Sequence, residues 1–237
     1  MRTGTARIRP GAGRSPHRDP ASTLAFAPMR LSTGAELRIT GGDGPLSVVC
    51  MNGGRRAEVE GTWSPTVEWL LARLRPQFRD VRFAELRYRI KSWRRFDECV
   101  EDARAAIEAA RGERTLLVGF SMGGGIAIRV AAEPSVETVV GLAPWIPPRL
   151  PLEGLRGRRL AVIHGSLDRA LPGIPGVSPR LSRAGFERAR TVGARGDYTL
   201  IPGAVHGIAV RPLGLGLIPL PRAKRWAELV GAEIERA

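Results

Sequence analysis

Residues 115–125 read TLLVGFSMGGG, and this stretch decides the fold. Thr115 to Phe120 is a mostly apolar run of strand length, too short for an independent helix. Ser121 follows without a linker, and Gly125 to Ala132 has helical patterning that Pro134 stops. Gly119-Phe120-Ser121-Met122-Gly123 thus sits where a strand turns directly into a helix, and it fits G-x-S-x-G. The pattern has a steric cause. A serine at the tip of so sharp a turn projects its hydroxyl and strains its own backbone, so the residues two before and two after it must be tiny. Gly124 and Gly125 then let the helix lie close to the sheet. Its first turn aims free N–H groups and the positive end of its dipole at the same point. An ordinary glycine-rich strand-to-helix turn would share these glycines, since the chain has 29 of them, so the surrounding sequence has to decide.

On the N-terminal side, Leu46 to Met51 (LSVVCM) reads as a buried strand ending in Asn52-Gly53-Gly54, and Val81 to Leu86 as a second. Between them Trp63, Val67, Leu70, Leu71 and Leu74 share one helical face, with Pro65 in the first turn. Trp93, Phe96, Val100, Ala103, Ile107 and Ala110 recur at threes and fours, the mark of an amphipathic helix. Further strands fall at Val136 to Leu142, Leu160 to His164 and Tyr198 to Ile201. A charged helix covers Arg180 to Arg190, and Trp226, Leu229, Val230 and Ile234 define a closing helix. Six strands separated mostly by helices call for an α/β fold, a three-layer α/β/α sandwich with a mostly parallel central sheet. No repeat or linker divides residues 29–237, which read as a single domain. Residues 1–28 carry five arginines and almost no apolar periodicity, and read as a disordered basic tail, with translation starting at Met1 or at Met29.

Composition excludes several classes. The 237 residues carry a formal charge of +14, but only Lys91 and Lys224 are lysines, and the arginines are scattered rather than gathered into a stripe or interleaved with aromatics. That distribution argues against nucleic acid as a partner. No apolar run is long enough to span a bilayer, and the N-terminal residues lack the apolar core of a signal peptide, so no membrane partner is expected and the expected location is cytoplasmic. Two cysteines, Cys50 and Cys99, are too few for a disulfide scaffold or a four-cysteine zinc site, and no metal-ligand spacing occurs. Neither a metal nor an organic cofactor is expected.

In a parallel sheet the chemistry sits at the carboxyl ends of the strands. A serine hydroxyl is a weak nucleophile until a base takes its proton and a carboxylate holds that base. Of three histidines, His17 lies in the tail. His164 ends a buried strand, where a locally bonded structural histidine is the simpler reading. His206 sits in the turn-rich Gly203-Ala204-Val205-His206-Gly207 after the last strand, as a base must. Asp168 follows a strand in His164-Gly165-Ser166-Leu167-Asp168, where a carboxylate can reach a neighbouring imidazole or merely cap a turn. Asp197 precedes its strand and so belongs to the opposite edge. Ser121, Asp168 and His206 therefore occur in the order nucleophile, acid, base.

These three stretches, GFSMGG at Gly119 to Gly124, HGSLD at His164 to Asp168 and GAVHG at Gly203 to Gly207, give a chain that resembles the α/β-hydrolase superfamily from about Ala35 to Arg236. The resemblance implies Ser121 as nucleophile, His206 as general base and acid, and Asp168 as the residue orienting the imidazole. It implies an oxyanion hole from the backbone N–H of Met122 and of a residue in the loop after the first core strand. That loop is Asn52-Gly53-Gly54-Arg55 where many members have His-Gly; Gly54 is the expected donor and Arg55 its neighbouring alternative. Asn52 would either pin the loop through its side chain or cap the turn. Where members often insert a helical cap, this chain has only the proline-rich Ala143 to Arg158, so a compact lidless member is expected. Asn52, Gly53, Arg55 and Trp145 are then candidates for the substrate pocket, and Ile146, Trp63 and Trp69 are more distant ones. The implied function is a serine esterase: hydrolysis of an ester or thioester of a small-molecule acyl substrate through an acyl-enzyme. An amidase or peptidase with the same triad, or a non-catalytic binding protein of this fold, remains the alternative.

Overall fold

The computed structural model of the chain describes residues 27–169, 176–213 and 215–237. The expected tail, apart from Ala27 and Pro28, lies outside the described residues. In chain order the elements are β1 (Met29–Arg30), β2 (Glu36–Gly41), β3 (Leu46–Met51), α1 (Pro65–Leu74), β4 (Arg82–Arg87), α2 (Phe96–Ala110), β5 (Arg114–Phe120), α3 (Met122–Arg129), β6 (Val136–Leu142), β7 (Arg159–Gly165), α4 (Pro179–Thr191), β8 (Tyr198–Ile201), β9 (Ala209–Val210), β10 (Ile218–Pro219) and α5 (Ala223–Arg236).

An eight-stranded sheet has the order β1-β2-β4-β3-β5-β6-β7-β8. From β4 to β8 all neighbours are parallel, and these six strands are the six that the apolar runs predict. The sequence reading missed β1 and β2, which add antiparallel at one edge, and the small β9–β10 ribbon. In β2 only Leu37 is buried, so no apolar run advertises it.

Period-two alternation feeds two cores, one on each face of the sheet. Val49 and Met51 of β3, Leu117 of β5 and Leu160 and Val162 of β7 pack with α2, α3 and Phe186 of α4. Val48 and Cys50 of β3, Leu116 and Val118 of β5 and Ala161 and Ile163 of β7 face Leu70 and Leu74 of α1 and Trp226 and Val230 of α5. The result is the expected three-layer α/β/α sandwich. Both cysteines are buried inside it, and burial pushes the thiol pKa of Cys99 up to about 12.

Three helix starts differ from the sequence reading, each for a local reason. The helix after Ser121 starts at Met122 rather than Gly125, because Gly123 must lie against the sheet: a Cβ there would sit 2.5 Å from the Met51 carbonyl oxygen. Trp63 and Trp93 both fall outside their helices. Ser64 caps α1, its hydroxyl accepting from the Val67 amide at 3.4 Å, and Trp93–Arg95 forms a short 3-10 turn before α2. No helix among the described residues is long and apolar enough to cross a membrane.

Candidate active site

Ser121 occupies the tip of the β5–α3 turn with φ 55° and ψ −116°, a backbone conformation that a side chain adopts only under constraint. The constraints are visible. Its N–H donates to the Leu142 carbonyl at 2.9 Å, and its own carbonyl accepts from Gly124 at 3.0 Å and Trp145 at 2.9 Å. Gly119 and Gly123 make the turn possible, since a Cβ on Gly119 would lie 2.3 Å from the Gly123 carbonyl oxygen.

Asp168, in the loop after β7, is buried, and its Oδ2 accepts from His206 Nδ1 at 2.7 Å. A carboxylate only accepts, so Nδ1 carries the proton and Nε2 of a neutral His206 is left as an acceptor. The other oxygen, Oδ1, accepts from the Val177 amide at 3.1 Å. Burial raises the Asp168 pKa, but hydrogen bonds from His164 and His206 outweigh it and hold the carboxyl below the usual carboxylate range. His206 lies beside Phe120, ring centroids 4.9 Å apart, in the loop between β8 and β9. That loop is fastened to α1 by Thr66 Oγ1, which accepts from the Ile208 amide at 3.1 Å. No hydrogen bond joins Ser121 to His206 in this structure, although both line one cavity.

His164 is fully buried and bonded locally, as the simpler reading expects, but one of its partners is the same carboxylate: Nε2–H is shared between Asp168 Oδ2 and the Val177 carbonyl, each at 2.9 Å. Its Nδ1 meets Ser182 Oγ at 2.7 Å, which in turn meets Tyr198 Oη at 3.0 Å. Asp197 lies before β8 and pairs with Arg159 at 2.8 Å, away from both histidines.

The loop after β3 abuts the serine turn. A Cβ on Gly54 would fall 2.2 Å from Sδ of the Met122 side chain, and one on Gly123 2.6 Å from the Asn52 carbonyl oxygen, so the loop and the turn are in contact. Asn52 holds the loop in both ways considered: Oδ1 accepts from the Gly53 amide at 2.7 Å, and Nδ2 donates to the Thr62 carbonyl at 3.0 Å. The Gly53 amide is thereby occupied. The Gly54 amide has no intramolecular acceptor among the described residues, and that of Met122, first in α3, has none within the helix.

A cavity of about 830 Å³ gathers Asn52, Gly53, Gly54, Arg55, Ser121 and His206. Sequence reasoning missed several of its other walls: Arg56, Ser64, Thr66, Lys91, Phe120, Gly176 and Arg211. Trp145 is a correction, since it does not line this cavity. Its ring packs on Trp93 and Phe96, with centroids 4.5 and 5.7 Å away. The more distant candidates do not line it either. Arg38 lies over the Trp63 ring at 3.7 Å, Ile146 is buried, and Trp69 faces a separate cavity of about 710 Å³ beside the start of α5, which holds none of the three candidate catalytic residues. Between β6 and β7 only a 3-10 turn at Glu153–Leu155 interrupts the connection, so no helical cap is inserted there.

Several solved structures share this architecture. An α/β serine hydrolase homologue from Coxiella burnetii matches 87% of this chain and 95% of its own, at 17% identity and TM-score 0.62. An α/β serine hydrolase without a lid from Xanthomonas campestris matches 76% of this chain and 84% of its own, at 16% identity and TM-score 0.57. An esterase from Exiguobacterium antarcticum matches 88% and 98%, at 12% identity and TM-score 0.61. No family model matches the sequence, and no curated protein does. The chain has the α/β-hydrolase fold.

Proposed function

We propose that this chain is a serine hydrolase that cleaves an ester or thioester of a small-molecule substrate through an acyl-enzyme. The observation that carries the reading is the 2.7 Å contact from His206 Nδ1 to Asp168 Oδ2, on an imidazole that lines the same cavity as the strained Ser121. Ser121 Oγ attacks the carbonyl carbon as His206 Nε2 takes its proton. The tetrahedral oxyanion is held by the Gly54 and Met122 amides, each such donor contributing roughly 3 kcal/mol. Collapse breaks the bond to the alcohol or thiol, which leaves with the proton from His206. A water then gives its proton to His206 and its oxygen to the acyl carbon, and the acid departs as Ser121 regains its proton. An unpaired Ser121–His206 contact before substrate arrives is compatible with this, because such bonds commonly tighten only in the substrate complex.

A fluorophosphonate probe tests the reading. Native protein should label and Ser121→Ala should not; absent or equal labelling would leave a non-catalytic binding role. A p-nitrophenyl ester chain-length series with the same control, run beside the matching anilides, separates esterase from amidase activity.

A further inference from the structure

The cavity over Ser121 has an uneven electrical lining. Arg55, Arg56, Lys91 and Arg211 face it, and no acidic residue does among the described residues, although Asp and Glu are 23 of the 237 residues. Arg211 is paired with Glu68 at 2.5 Å. The other three have no carboxylate within 4.0 Å among the described residues. Lys91 is the informative member. It is half-buried, and its Nζ donates only to Thr62 Oγ1 at 3.1 Å. Burial, and then the charge of Arg55 beside it, lower its pKa to about 8. Arg55 and Arg56 are exposed, but Arg55 and half-buried Lys91 repel one another without a counter-ion among the described residues, which costs stability. Elsewhere half-buried Arg87, Arg89 and Arg159 are matched by Glu36, Asp102 and Glu233, and half-buried Arg82 and Arg188 by backbone carbonyls. Here no carboxylate meets Arg55, Arg56 or Lys91 among the described residues.

We propose that the substrate supplies it: the cavity takes an ester or thioester carrying a carboxylate or phosphate, which Arg55, Arg56 and Lys91 hold while the carbonyl meets Ser121. This rests on the serine-hydrolase reading and narrows its substrate class. Guanidinium groups grip such anions through paired N–H donors and the ammonium as a point charge. A lidless site gains further, since a one-signed recess steers anions in from solution.

The test compares matched esters. Mono-p-nitrophenyl glutarate against p-nitrophenyl pentanoate places the anion on the acyl side, and 4-butyryloxybenzoate against phenyl butyrate places it on the alcohol side. In at least one pair the anionic ester should have the higher kcat/KM by about tenfold or more, a preference that shrinks when salt rises from about 50 to 500 mM. The ratio should fall about tenfold in Lys91→Met and in Arg55→Gln. Inhibition by glutarate and by inorganic phosphate, measured in parallel, separates carboxylate from phosphate as the preferred anion. Equal or better cleavage of the neutral ester in both pairs, with Ser121→Ala inactive, overturns the anion proposal and leaves the hydrolase reading standing. If no ester turns over, calorimetric titration of Ser121→Ala protein with monoethyl glutarate and with ethyl pentanoate decides: tighter binding of the anion supports the proposal, and equal or no binding sinks it. Lack of fluorophosphonate labelling, by contrast, sinks the hydrolase reading and with it the ester as substrate, and the same titration then shows whether the cavity still selects anions.

Discussion

Asp168 Oδ2 takes two imidazole N–H groups at once, from His206 at 2.7 Å and from His164 at 2.9 Å. The first would serve the reaction directly, because it fixes the tautomer that leaves Nε2 as an acceptor on a ring lining the serine's cavity. Asp168→Asn should therefore lower turnover by about 10⁴ with the fold intact; a loss below about tenfold in kcat would move the acid to another residue. The second is a positioning contact. His164 reaches no part of the cavity, but with the Val177 amide it fixes the rotation of the carboxylate that aims His206. His164→Leu keeps an apolar side chain of similar size and removes the donor, so kcat should fall roughly 10- to 100-fold at unchanged KM, the loss expected for one hydrogen bond to a charged acceptor. His164→Gln restores an N–H and should recover much of it. If Leu is the better substitute, His164 only fills space.

At the scale of elements, the β5–α3 junction sets the distance between the nucleophile and the loop after β3. Its closest approach is at Gly123, where a Cβ would meet the carbonyl oxygens of Met51 at 2.5 Å and Asn52 at 2.6 Å. Both obstacles are backbone, so neither can turn aside. Gly123→Ala should push α3 off β3 and carry Met122 away from Gly54, costing about 1–3 kcal/mol of stability. That corresponds to a fall in Tm of roughly 3–10 °C by calorimetry, with a larger loss of kcat than of substrate affinity. An unchanged Tm would mean that the two backbones stand further apart. This junction was legible in the sequence because sterics confine it to one pattern, and so were the parallel strands. Of these, β3 to β7 are mostly buried on both faces and read as apolar runs, while edge strand β8 is half-exposed and shows only a short one. Antiparallel β2, next to the two-residue edge strand β1, was not legible, since a half-exposed strand near the sheet edge needs no apolar run. The cavity walls were hidden for another reason. Lys91, Thr66 and Arg211 meet Ser121 only after three separate chain crossings, and nothing local marks them apart from one lysine in an arginine-rich chain. Trp145 carries the opposite lesson: an aromatic on a proline-rich loop looks free, yet Trp93 and Phe96 take it up.

Across the whole molecule, two buried carboxyls pull stability in opposite directions with pH. Asp168 is held below the usual range, so its contribution is present above the unfolded carboxylate pKa and fades as pH falls through its lower folded value. Glu85 on β4 does the reverse. Burial pushes it up to about 7, with the Ser64 amide at 3.0 Å opposing and Glu68 adding to the rise. A raised carboxyl contributes fully below its unfolded pKa, and that contribution is lost as pH climbs through 7. Ionised Glu85 then costs about 3 kcal/mol relative to the protonated form. Arg38 does not cancel this: it stands 3.8 Å from Glu85 but 3.0 Å from Glu68, which shares its charge. These two groups therefore favour maximal thermal stability at roughly pH 4 to 4.5, with Glu85's share declining from there to about pH 7, despite a formal charge of +14. Glu85→Gln keeps an acceptor for the Ser64 amide and removes the titration. Its Tm should exceed that of the native chain by roughly 5–10 °C at pH 8.5 and match it near pH 4. A difference that stayed constant across that range would show that Glu85 is ionised throughout and that its hydrogen bond to Ser64, rather than its burial, governs the carboxyl.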